Sequence, residues 1–487
     1  LIWANLSVFF YVFLGLFYLM KIGQTLFSEK NLLLLLIALL LATNLYYFTA
    51  YNSPMSHGYL FSLYAFLMYG TMRFYELPKL RFALLIGLSA GMITLIRPVE
   101  IFCLFIPLFY GIKSLATRFQ FVLSHWKLYL SAVFIYAIPG LFQMLYWKTV
   151  SGNWLFYSYG NESFDFLHPQ IWNGLTSFQN GWLIYTPIMV FALAGIAFLY
   201  KKSAWFWPII LFLPIHIYIA YSWWCWYYIN GFGSRPMVET YALLFIPLGY
   251  SFIQFQKRKW SKYLLLTLIL GLSILNIFQT YQFTKGVMWS ETSSKAYYVS
   301  TFGKTSLNYQ DLVNYDSNEP QPDTTNLLKV KDLYFNNYED SLDINFQNEI
   351  VYRGNFSYKL TKEKQFSTGF IAKLQEIGAQ KDDYFRISSW CYKEFKESTW
   401  WTMSMLIGNL NEGDKITRYR NTRIGNKINN TALSLWGGKA KEWGEVVFFF
   451  KNTGKQTPNT LFNAFVQNGA GHPVYIDDFK VELWRKK

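Results

Sequence analysis

The sequence predicts a multi-pass α-helical membrane protein of about ten spans, followed by an all-β antiparallel sandwich. Three observations carry that prediction. The 487-residue chain is 53% hydrophobic and 21% aromatic but only 15% charged, and apolar runs of membrane-spanning length recur through its first 285 residues. The basic residues of that part fall into alternate connections between the runs. From about residue 336 the apolar spacing changes to every second residue between turn signals, the period of a strand with one buried face.

The expected spans run at roughly 3–20, 32–48, 58–75, 82–96, 99–112, 128–147, 186–200, 205–222, 240–255 and 263–281. Several fall short of the ~20 residues that a perpendicular span needs, so some are expected to be partly re-entrant or extended by flanking aromatics. Of the 18 basic residues up to Lys285, 14 lie in one set of alternate loops, from Lys21 and Lys30 to Lys257, Arg258, Lys259 and Lys262. That face is expected to be cytoplasmic. Arg97, Lys148, Arg235 and Lys285 lie opposite, so the connection 148–185 and everything after Phe283 are expected to be extracytoplasmic.

The first 285 residues hold 18 of the 44 basic and 6 of the 29 acidic residues. The positive balance therefore belongs to the membrane half, where juxtamembrane lysines meet anionic lipid, and nucleic acid is not an expected partner. Cys103, Cys225 and Cys391 are far apart with no CxxC, which suggests packing rather than a disulfide framework or a zinc site. The chain opens at Leu1 inside an apolar run, so a preceding segment is expected.

The domain reading is 1–285 transmembrane, 286–335 membrane-edge segment and linker, and 336–487 sandwich. In the linker, "NYDSNEPQPDTTN" has prolines and acids that argue against a core. Strands are expected at "FSYKL", "TGFIAKL", "YFRISSWCY", "WTMSMLIG", "TALSLW", "GEVVFFF", "NTLFNAFVQ" and "VYIDDFKVEL".

Polar groups on the sparsely charged outer face carry the functional signal. "YNSPMSHGY" offers His57, as a base, a ligand or a histidine capping the next helix. "IRPVE" offers Arg97 and Glu100, which could simply pair with each other. The 148–185 loop supplies Tyr159, Asn161, Glu162, Asp165 and His168 among many aromatics. That mixture suits sugars, and equally an amphipathic loop lying on the bilayer. "YSWWCWYYINGFGSRPMVE" adds glycines that let backbone approach a ligand, and Arg235, whose fixed guanidinium grips phosphate. The alternative for Arg235 is an arginine snorkelling to lipid head groups. His216 is the main ionisable residue inside an expected span. No Walker loop, GxSxG, HExxH or dinucleotide fingerprint occurs.

The stretches "YYFTAYNSPMSHGYLFSLYAFLMYGTMRFYE", "GLSAGMITLIRPVEIFCLFIPLFYG" and "WWCWYYINGFGSRPMVETYALLFIPL", with the loop layout, resemble the GT-C glycosyltransferases. The branch is that of protein O-mannosyltransferases and the aminoarabinose transferase of lipid A, in Bacteroidetes-type bacterial members. The resemblance covers about 1–310. It implies inverting transfer of a sugar from a polyprenyl-phosphate carrier to an extracytoplasmic glycan, lipid or protein acceptor, by an enzyme of the bacterial inner membrane. It implies Arg235 and Arg97 as carrier-phosphate contacts and His57 as a polar site residue, beside Tyr159, Glu162 and Asp165, which the loop itself offers as polar site candidates. The family's catalytic Asp or Glu is expected ahead of Leu1. Some members bind a divalent cation near the site, but no ligand spacing here is diagnostic of one.

The tail resembles carbohydrate-binding-module jelly rolls through "RGNFSYKL" and "PVYIDDFKVEL". That resemblance makes Glu339, Asp477 and Asp478 candidates for a structural calcium site; the alternative is a strand edge blunted by charge. Trp390, Trp400, Trp401, Trp436 and Trp443 are candidates for sugar stacking, with most expected in the core. The competing function is a non-catalytic, membrane-anchored glycan-binding or envelope-assembly protein. A transporter would favour internal repeats and polar residues at mid-membrane.

Overall fold

A computed structural model of the chain describes residues 2–52, 55–159, 162–229, 231–290, 293–307, 311, 322–339, 345–394, 404–413, 415–424, 428, 441–454, 457–469 and 472–487. The chain forms two compact units, Leu1–Tyr281 and Gln282–Lys487.

Each of the ten apolar runs of the first unit contains helix. They form α1 (Ile2–Gly23), α2 (Glu29–Leu41) continued by the short α3 (Leu45–Ala50), α4 (His57–Glu76) and α5 (Leu80–Ile96). A 3₁₀ segment Pro98–Leu104 leads into α6 (Phe105–Phe109), followed by α7 (Leu115–Ser124) and α8 (Trp126–Ser151). Past the long connection, which holds α9 (Ile171–Thr176) and α10 (Trp182–Tyr185), come α11 (Met189–Ile196), α12 (Phe206–Ser222), α13 (Tyr241–Phe255) and α14 (Lys259–Thr284).

Among the described residues, three helices are long and apolar enough to cross a membrane: Asn5–Gly23, Trp126–Ser151 and Lys259–Thr284. The others fall short for physical reasons. At 1.5 Å per residue, the 17 residues of α5 and of α12 rise only about 25 Å, against a hydrocarbon core of about 30 Å. The α4 helix has 20 residues, but tyrosines, glycines, His57 and Arg73 dilute its apolar character.

Helix α5 packs against α8 through two glycines four residues apart. A Cβ on Gly87 would run into the Ala132 carbonyl, and one on Gly91 would sit 2.6 Å from the Tyr136 carbonyl oxygen. Small residues at this spacing let two backbones meet where lipid tails supply no hydrophobic drive. Pro98 disfavours helix at the residue before it, and α5 accordingly stops at Arg97, which is extended (φ −140°, ψ 101°). Helix α8 ends at Gly152 in the left-handed conformation (φ 76°).

The second unit opens with the helix α15 (Lys295–Thr301) and continues as two antiparallel sheets. The strands are β1 (Leu327–Asn336), β2 (Phe346–Gln347), β3 (Ser357–Leu360), β4 (Phe370–Lys373), β5 (Tyr384–Lys393), β6 (Ser404–Glu412), β7 (Lys415–Arg423), β8 (Trp443–Lys451), β9 (Leu461–Asn468) and β10 (Val474–Lys486). One sheet runs β2-β3-β10-β5-β8, with β1 also pairing β10; the other runs β4-β9-β6-β7. Their inward residues form one core, in which Phe385 stacks on Phe462 at 3.9 Å.

Strands occur where alternation predicts them, except at "TALSLW", which lies outside the described residues. The same is true of Trp400, Trp401 and Trp436. Pattern reading misses β1, β7 and the two-residue β2. β1 falls in the expected linker, and β1 and β7 are edge strands with largely exposed, charged residues ("LLKVKDLYFN", "KITRYRNTR"). An edge strand buries little and so carries a weak apolar signal. Trp390 and Trp443 depart from the core expectation. They are half-buried and outside the core cluster, and Trp390 stacks on Tyr352 at 3.8 Å.

Gly87→Val should separate α5 from α8, because a carbonyl on a helix backbone cannot step aside; overpacking of this kind costs about 1–3 kcal/mol. The expected result is a lower thermal midpoint for the full chain in detergent. Gly271→Val in α14, where a Cβ meets nothing within 4 Å, should leave the midpoint unchanged.

Candidate functional site

The segment joining α12 to α13 builds the centre of the site. Gly233 holds φ 68°, and a Cβ there would sit 2.8 Å from that of Tyr185, so the turn requires glycine on both counts. Asn44 fixes the turn by donating to the Phe232 carbonyl at 3.0 Å. The turn delivers Ser234, Arg235 and, one helical turn later, Glu239.

Glu239 is fully buried and joins three elements. One carboxylate oxygen accepts from the Arg97 guanidinium at the end of α5. The other lies 3.0 Å from Nδ1 of His57 at the start of α4. A second buried node lies alongside. Glu100 accepts from the Tyr64 hydroxyl at 2.6 Å and faces Nδ1 of His216 at 3.2 Å, while Nε2 of His216 donates to the Pro236 carbonyl at 2.7 Å. With Nε2 committed as a donor, the Nδ1 contact requires a proton shared between His216 and Glu100. Arg97 therefore pairs with Glu239 and not with its sequence neighbour Glu100.

Arg235 is placed differently. Its guanidinium donates to the Ile229 carbonyl at 2.8 Å and lies 5.4 Å from the Tyr228 ring centre. Among the described residues it forms no salt bridge. Burial, and after it the neighbouring Arg97 guanidinium, push Arg235 below the ordinary arginine value. An anion at this point would offset both effects.

These groups share a cavity of about 860 Å³ within the first unit. His57, Arg97, Glu100, His216 and Arg235 line it, and α8 contributes Tyr136, Gln143 and Trp147. The 148–185 connection closes one side. It pairs with the end of α12 through Asp165 N–H to the Ser222 carbonyl (2.7 Å) and Trp224 N–H to the Ser163 carbonyl (3.2 Å). That pairing brings Tyr159 and Glu162 to the lining, with Tyr159 edge-on to Trp223 at 5.4 Å.

Six of the sequence-predicted residues thus converge: His57, Arg97, Glu100, Arg235, Tyr159 and Glu162. Asp165 is outside the lining; its carboxylate caps the Leu167 and His168 amides and faces the exposed His168 ring. Asn161 lies outside the described residues. Sequence reasoning missed Glu239, although a lone acid four residues after Arg235 on the sparsely charged face was the available signal. It also left His216 without a role.

Glu100, His216 and Glu239 each place one potential ligand atom within 4.8 Å of the others. Each side chain already has protein partners, however: Arg97 and His57 on Glu239, Tyr64 and His216 on Glu100, and Pro236 on His216. The three are thus engaged in two separate hydrogen-bonded nodes, and the trio is not assigned as a cation site.

In the second unit the candidate calcium residues serve backbone amides. Glu339 accepts from the Asn355 and Phe356 amides at 2.8 and 3.0 Å. Asp477 accepts from the Arg353 amide at 3.1 Å and the Asp478 amide at 2.8 Å, at a bulge where Asp478 adopts φ 45°. The three do not bring ligand atoms together within 4.8 Å among the described residues. The three cysteines are free and buried, as packing predicts.

Burial pushes the Asp477 carboxyl up to about 6, against the amides that favour its charge. The folded carboxyl therefore holds its proton to higher pH than an unfolded one, at 3.8. Its stabilising contribution is complete below about pH 4 and lost as the pH rises through about 6. Amide protection in β5 and β10 should accordingly fall between pH 4.5 and 7. Asp477→Asn should flatten that dependence.

No family model matches the chain, and no curated protein matches it. Among solved structures, similar chains include a Family 16 Carbohydrate Binding Module-2, at 14% identity over 28% of this chain and 82% of that one, with a TM-score of 0.19. Another is the CBM22-1 xylan-binding domain from Paenibacillus barcinonensis Xyn10C, at 14% identity over 28% of this chain and 78% of that one, also with a TM-score of 0.19. Scores of this size settle neither fold nor ligand.

Proposed function

We propose that the chain is an integral-membrane glycosyltransferase that takes a sugar from a polyprenyl-phosphate carrier and passes it to a glycan, lipid or protein acceptor with inversion. All ten helical runs are read as membrane-embedded, with the cavity and the sandwich on the extracytoplasmic face. The observation that carries the reading is Arg235. It is a partly buried guanidinium with no carboxylate partner among the described residues, and it lines a large cavity with apolar walls.

Each part of the cavity has a task in this reading. Arg235 neutralises the carrier phosphate and stabilises the charge that grows on it as the sugar departs, without any proton transfer. Arg97, paired with Glu239, holds the wall behind it. Leu95, Val99, Met144 and Trp147 offer apolar surface to the isoprenoid chain. Tyr159 and Trp223 present ring faces and Glu162 a carboxylate, the chemistry that recognises a pyranose. The outward Tyr352, Trp390 and Trp443 group supports glycan contact by the sandwich.

Arg235→Ala should lower transfer by about a hundredfold or more, the usual cost of removing one such stabilising donor, while membrane insertion and thermal midpoint stay unchanged. Binding of polyprenyl monophosphate to the full chain should weaken in parallel. Near-normal turnover by the variant would overturn the assignment. Unaltered binding of carrier and glycan with no turnover in either form would favour the non-catalytic reading.

A further inference from the structure

We infer that His57, in place of the carboxylate that the resemblance puts ahead of Leu1, is the general base of this cavity and Glu239 its positioning residue, an assignment that rests on the carrier-phosphate reading of Arg235. A carboxylate only accepts hydrogen bonds, so the 3.0 Å contact between Glu239 and His57 places a proton on Nδ1. That leaves the lone pair on Nε2. Among the described residues Nε2 has no hydrogen-bond partner, and His57 lines the cavity.

The ring is held from several sides. Arg97 fixes the second oxygen of Glu239, and Phe48 packs edge-on to the imidazole at 5.3 Å. The charged groups that face the ring are Glu239, Arg97 and Arg235. His216 is the instructive contrast. It is equally buried and also lines the cavity, but both its nitrogens are engaged, by Glu100 and by Pro236. Among the described residues, His57 is the cavity histidine that keeps a ring nitrogen without a hydrogen bond.

The step balances without any further reagent. The acceptor hydroxyl gives its proton to Nε2 as its oxygen bonds to the anomeric carbon. The bond from that carbon to the phosphate oxygen breaks, and its electron pair leaves on the polyprenyl phosphate beside Arg235. Glu239 stabilises the imidazolium, which then releases its proton to water. This is the carboxylate–histidine logic of an activated nucleophile: the acid fixes the tautomer and steadies the cation but takes no proton itself.

The test uses the full chain in lipid nanodiscs. Diethyl pyrocarbonate, which acylates unprotonated imidazole nitrogens, should modify His57 and the exposed His168 but spare His216, as read by peptide mass spectrometry. Polyprenyl monophosphate should protect His57 and not His168. With a panel of polyprenyl-phosphate hexoses, His57→Gln and His57→Ala should each lose about a hundredfold in turnover or more and still bind polyprenyl monophosphate. Added imidazole should restore turnover to His57→Ala alone, and Glu239→Gln should lower kcat with little change in KM.

A His57 that resists the reagent while His168 reacts overturns the proposal. So does turnover by His57→Gln at the parent rate, or a parent chain that binds polyprenyl monophosphate and transfers nothing from the panel. A parent chain that fails to bind polyprenyl monophosphate overturns the carrier reading itself.

Discussion

A carboxylate buried among apolar helices persists only if its charge is met, and Glu239 meets its own with two groups that are far away in sequence. Removing one member of such a set leaves an uncompensated buried charge, typically at a cost of about 3–5 kcal/mol. The end of α5, the start of α4 and the loop before α13 are therefore locked to one another by Arg97, His57 and Glu239. Glu100, Tyr64 and His216 repeat the device one step away and tie the 3₁₀ segment and α12 to the same loop through Pro236. The cavity exists because these two nodes hold its walls at fixed positions.

The same pairing decides what the cavity can attract. Arg97 is spent on Glu239, and a shared proton covers Glu100. Arg235 is left as a partly buried cation in no salt bridge among the described residues. On the proposed carrier reading, Arg235 would meet an anionic group, while the apolar walls and the aromatic loop with Glu162 would meet a hydrocarbon chain and a sugar.

The second unit follows different physics. Its core is a layer of interleaved phenylalanines and aliphatics between two sheets, while the outer faces carry charge. Lys329, Asp332, Lys480 and Glu482 form one cross-strand network on β1 and β10, and Arg386 links Glu482 to Glu445 across three strands. Exposed pairs of this kind contribute little singly, but they fix which face points out.

Periodicity is a local property, and so it was legible in the chain. Apolar runs marked the helices of the first unit other than α7, α9 and α10, and alternation marked the strands that bury a full face. The edge strands β1 and β7 were hidden because they bury little. Among the site residues, Arg97, Arg235, His57, Tyr159 and Glu162 stood out as polar groups on a face that has few. Which of them would meet was not legible. Arg97 has an acid three residues away yet pairs with one 142 residues distant, from the extended residue where Pro98 ends α5. The sequence by itself settled composition, period and the pool of reactive groups. Only the tertiary structure decided partnership, because a buried ion pair depends on distance in space and not on separation along the chain.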